Sequence, residues 1–90
     1  MKKYVIERNI PKVHCMGPEE LKGAAATSND ALAKLGPKVQ WLHSYVTPDK
    51  TFCIYLAEDE DAVRKHAELS GFPANVISEI TTTIDPSTAG

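Results

Sequence analysis

Ninety residues with a formal charge of −2 make one small domain, expected over residues 1–90, with too little chain for two cores. With no Lys/Arg-rich run, that charge gives no footprint for nucleic acid. No apolar stretch nears the roughly 18 residues of a membrane span, and charge interrupts Met1–Arg8 too early for a signal peptide. The cytoplasm is therefore the expected compartment, with both cysteines as free thiols.

Tyr4–Ile10 alternates as a first strand, with Tyr4, Ile6 and Ile10 marking one face and Val5, Glu7 and Asn9 the other. Lys12–Gly17 reads as a loop holding His14-Cys15, neighbours that rarely chelate one ion unless the loop folds back. Gly17-Pro18-Glu19-Glu20 starts a helix, with proline suited to the first turn and acids complementing the dipole. Leu21, Ala25, Ser28, Leu32 and Leu35 continue at helical spacing to a stop at Gly36-Pro37. Weak helix formers across Thr27–Asp30 predict a break or kink there.

Val39–Val46 and Thr51–Ala57 flank a turn and read as a β-hairpin. A three-residue loop, with Lys50 in a left-handed bulge, pairs Thr47 with Thr51. In that register Trp41, His43, Tyr45, Cys53 and Tyr55 share one face. Leu42, Val46, Phe52, Ile54 and Leu56 share the other, the expected core side. A loop of two or four residues would put His43 and Cys53 on opposite faces. The acids Glu58–Asp61 open a second helix by capping, and Val63, His66, Ala67 and Ser70 form its stripe up to Gly71. Val76–Ile84 is a fourth strand and Asp85–Gly90 a tail.

The order β-α-β-β-α-β is the α+β ferredoxin-like plan: one four-stranded antiparallel sheet with two helices on one face. The expected core joins Ile6, Ile10, Leu42, Phe52, Ile54, Leu56 and Ile80 to Leu21, Leu32, Leu35 and Val63. The other face carries Glu7, His43, Cys53 and Glu79, with Trp41, Tyr45 and Tyr55 nearby. Imidazole, thiolate and carboxylate together suit nickel, zinc or copper, so His43, Cys53 and Glu7 are the candidate ligands. Tyr45 and Tyr55 would line the site or orient its ligands. A homodimer burying this aromatic face, as a dimeric α/β barrel, is expected. His66 is read as a packing residue between helix and sheet. A nucleophilic Cys53 activated by His43 would need an oxyanion hole and an orienting group, and neither has a recognisable sequence signature. Two further readings are a small-molecule-binding or catalytic dimeric barrel, with Tyr45, Tyr55, His43 and Glu7 around a pocket, and an interaction module without metal.

Trp41-Leu42-His43-Ser44-Tyr45-Val46, Phe52-Cys53-Ile54-Tyr55, Ala62–Ala67 and Ser70-Gly71-Phe72-Pro73-Ala74 resemble a family of small bacterial proteins. Tyr4–Arg8 is similar to its first strand. That family, long catalogued as of unknown function, includes a nickel-binding, nickel-responsive member. The resemblance implies a dimeric ferredoxin-like fold and, for some members, divalent metal binding. It matches His43 and Cys53 to motif positions, Glu7 to a position where some relatives carry histidine, and His66 to a histidine of others.

Overall fold

The computed structural model describes residues 1–90. Four strands, β1 (Lys2–Asn9), β2 (Val39–Val46), β3 (Lys50–Ala57) and β4 (Val76–Ile80), form one sheet in the order β2-β3-β1-β4. Every neighbouring pair is antiparallel. Two helices, α1 (Pro18–Leu35) and α2 (Glu60–Ser70), cover one face, which is the ferredoxin-like α+β arrangement.

The helix ends follow local chemistry. Pro18 sits in the first turn of α1, and Gly36 closes it at φ 68°. Asp59 caps α2 by accepting a hydrogen bond from the Ala62 amide at 2.9 Å, and Gly71 ends it in the left-handed region at φ 76°. The break expected at Thr27–Asp30 does not occur. Thr27 returns its hydroxyl hydrogen bond to the Gly23 carbonyl at 3.0 Å, so its side chain is satisfied within a continuous helix. β4 ends at Ile80, four residues before the expected Ile84, because its pairing with β1 runs out at Lys3↔Ile80.

The hairpin register differs from the expected one. The Thr47 amide and hydroxyl both donate to the Lys50 carbonyl, at 2.9 and 3.0 Å. The loop is therefore the two residues Pro48-Asp49, and Lys50 is already in β3. Val46 pairs with Thr51, Tyr45 with Phe52, Ser44 with Cys53 and His43 with Ile54. A bulge at Leu42 then shifts the register by one, and Trp41 pairs with Tyr55. His43 and Tyr45 consequently part from Trp41, Cys53 and Tyr55, which face the helices.

The core is correspondingly different from the expected set. Tyr4, Ile6, Val39, Cys53, Tyr55 and Ala57 meet Ala62 and Val63, with Leu32, Leu35, Trp41 and Ile77 against them. Each large side chain buried here contributes roughly 1.5–3 kcal/mol. Phe52, Ile54, Leu56, Val5 and Ile80 lie half-buried on the helix-free face, beside the exposed Tyr45 and Val76. Leu42 is the exposed extra residue of the bulge, and Glu79, paired with Tyr4, belongs to the helix side. Ile6→Ala should therefore cost about 2–5 kcal/mol and Leu42→Ala under about 1 kcal/mol in urea unfolding. Equal costs would contradict the register.

Candidate functional site

The ligands expected from the sequence are not brought together in the folded chain. His43 lies on the helix-free face, edge-on to Tyr45 with ring centroids 5.0 Å apart. Glu7 shares that face but lies two strands away, 3.6 Å from the Lys50 ammonium. Cys53 is buried on the opposite face, its thiol 3.6 Å from the Thr51 hydroxyl. Tyr45 is largely exposed, whereas Tyr55 is buried in the core. Nowhere in the chain do three His, Cys, Asp or Glu side chains converge on one point.

One nitrogen–sulfur pair does come together, at His14-Cys15. The loop after β1 folds back because Lys12 adopts a left-handed conformation, φ 60° and ψ 27°, before a 3-10 turn over Val13–Cys15. This costs about 1 kcal/mol for a residue with a side chain. The hairpin tip offsets that cost. Ile10 donates to the Asp49 carbonyl at 3.0 Å, and the Lys12 amide to the Asp49 carboxylate at 3.2 Å. His14 Nδ1–H donates to the Pro48 carbonyl at 2.8 Å. That bond fixes the ring and leaves Nε2 as the acceptor, 3.5 Å from the exposed Cys15 thiol. With metal bonds of about 2.1 Å to nitrogen and 2.3 Å to sulfur, a tetrahedral angle separates the donors by about 3.6 Å. The pair therefore fits one borderline transition-metal ion, leaving the other coordination positions to be filled from outside the pair.

A second polar centre lies under the helices. Arg8 alternates with Tyr4 and Ile6 on the core side of β1 and is 2% exposed. Its guanidinium donates to the Pro73 carbonyl at 2.8 Å and to the Tyr55 hydroxyl at 3.5 Å, with its carbon 5.7 Å from the centre of the Phe72 ring. The chain's ion pairs, Lys2–Glu79, Lys50–Glu7 and Arg64–Glu60, leave it out. A buried charge without a counter-charge costs several kcal/mol. Nearby, His66 is wholly buried, with Nε2 3.1 Å from the Ser28 hydroxyl and Nδ1 without a partner. Burial, and next the Arg8 charge, push its pKa down to about 4. Burial also raises the Tyr55 pKa, against the opposing pull of Ser28 and Arg8, so its phenol stays protonated at neutral pH.

The hydrocarbons of the first strand do not by themselves point to Arg8. The signal was there: a period of two from Tyr4 through Ile6 reaches Arg8 before Ile10.

A family model described as "Nickel responsive protein SCO4226-like" matches residues 4–80. The chain belongs to the SCO4226-like family. Among solved structures it is similar to that of SCO4226 from Streptomyces coelicolor A3(2), with a TM-score of 0.76 at 14% identity. The match covers 91% of this chain and 99% of that one, and at this identity it supports the fold alone. No curated protein matches. In this SCO4226-like chain, no helix is long and apolar enough to cross a membrane.

His66 gives a pH test with a definite sign. Its folded pKa lies below the unfolded value of about 6.5, so its contribution is complete above that value and is lost as pH falls towards 4. Urea unfolding should show stability falling by about 3 kcal/mol over that window, with His66→Gln lacking the slope. A His66 imidazole titrating near 6.5 by NMR would contradict this environment.

Proposed function

We propose that this protein binds a divalent transition-metal ion of the nickel type at His14 and Cys15. The carrying observation is the preset donor pair, Nε2 and Sγ 3.5 Å apart, with the imidazole oriented by the Pro48 carbonyl. The nickel-responsive name of the SCO4226-like family supports the choice of metal. Thiolate and imidazole are donors that nickel, zinc and copper accept. Because both must be free of protons to bind, affinity falls with acid. Two donors from one chain give moderate binding, completed by water, by a small molecule or by a second protomer.

The second protomer has a surface to occupy. Phe52, Ile54, Leu56 and Val5, flanked by exposed Tyr45 and Val76, leave the helix-free sheet face apolar. A homodimer packing these faces covers an apolar patch that a small soluble domain otherwise exposes. It also brings His43 and Glu7 of each protomer to the interface, the alternative location for an ion. Cys53 is not part of that arrangement, because its sulfur lies beneath the opposite face.

Calorimetric titration with nickel separates the two locations. His14→Ala should abolish stoichiometric binding, Cys15→Ser should weaken it by about tenfold or more, and His43→Ala should leave it intact. Loss of binding in His43→Ala alone would move the ion to the sheet face. Absence of binding for nickel, zinc and copper in the unmodified protein would end the metal reading. Sedimentation at micromolar concentration should give a dimer mass, which Ile54→Lys converts to the monomer.

A further inference from the structure

We infer that the space between the first half of α1 and the hairpin end of the sheet binds a small monocarboxylate, its head group on Arg8 and its hydrocarbon along the cavity. The cavity holds about 500 Å³, the size class of small-molecule sites. It exists because α1 turns small residues to the sheet here: Ala24, Ala25 and Ser28 stand where larger side chains would close the gap. Its walls are mainly apolar, with Leu21, Val46, Trp41 and Met16 among them. Neither the metal pair His14-Cys15 nor the helix-free sheet face belongs to it, so this inference does not rest on the metal reading.

The charge of the ligand follows from Arg8. A guanidinium stays protonated in proteins and offers five N–H donors, of which two are used, both on neutral oxygens. No carboxylate of the chain pairs with it. The Tyr55 phenol, held protonated by burial, does not supply a negative charge. The depressed His66 pKa, caused first by burial and then by Arg8, shows the same uncompensated positive field. Arg8 lines the cavity, and a planar carboxylate matches its fork of donors. Stacking beside Phe72 and the bond to the Pro73 carbonyl hold the fork in place before any ligand arrives. A ligand that is apolar along its length and anionic at one end satisfies both parts of this space.

Trp41 lines the cavity and is the chain's one tryptophan, so its fluorescence reports on this site. Octanoate and 1-octanol, equal in chain and different in charge, are the probes. The expected result is a saturable, one-to-one fluorescence change with octanoate, at least about tenfold tighter than with 1-octanol. Arg8→Met should bring the two affinities within about twofold. Ala25→Leu, which narrows the cavity and keeps Arg8, should weaken both. If Arg8→Met does not fold, the comparison of the two probes and the Ala25→Leu variant decide. No saturable change with octanoate, equal affinities in the unmodified protein, or a charge preference retained in folded Arg8→Met would each overturn the inference.

Discussion

The length of one loop sorts the chemistry of this chain. With Pro48-Asp49 alone between β2 and β3, Thr47 closes the turn on Lys50 and the strands pair one step away from a three-residue loop. Because side chains alternate, that step turns β3 over relative to His43 and Tyr45 of β2. Thr51, Cys53 and Tyr55 go under the helices beside Arg8, while His43 and Tyr45 stay on the helix-free face. The bulge at Leu42 keeps Trp41 on the inner side despite the shift, and its indole donates to the Ser44 hydroxyl at 3.0 Å. The same turn also anchors the loop after β1, through Asp49 to Ile10 and Lys12 and through Pro48 to His14.

Much of the fold was legible because proline and glycine punctuate it. Gly17-Pro18, Gly36-Pro37 and Gly71 mark helix ends that the structure keeps, and the β-branched runs between them are strands. The hairpin register was not legible, because the hydrocarbon count favoured the wrong side. Phe52, Ile54 and Leu56 look like a core, yet the helices above the sheet present small residues, Ala31, Ala62 and Ala67, at the contact. Tyr4 and Tyr55 from the sheet fill that space, and His66 joins them with its ring centroid 4.9 Å from that of Tyr55. The close approach of His14 and Cys15 was not legible, since it depends on a left-handed Lys12 held by a distant turn.

The interior holds the permanent cation of Arg8, the neutral imidazole of His66 and the phenol of Tyr55, held protonated by burial. A buried, unpaired charge is retained against its desolvation cost, while His66 avoids the same cost by staying neutral. His14 and Cys15, by contrast, sit at the surface. The two groups thus differ in burial: His14 and Cys15 lie in the exposed turn after β1, and Arg8 is buried in β1 itself.

The two thiols have different surroundings, Cys15 at the surface and Cys53 buried by the hairpin register. Mass-resolved alkylation of the native protein, with and without one equivalent of nickel, reads each thiol separately. Exposed Cys15 should be labelled first and be protected by nickel. Buried Cys53 should be labelled far more slowly, at a rate nickel does not change. Rapid labelling of Cys53 would contradict the register, and protection of Cys53 rather than Cys15 by nickel would contradict the placement of the ion.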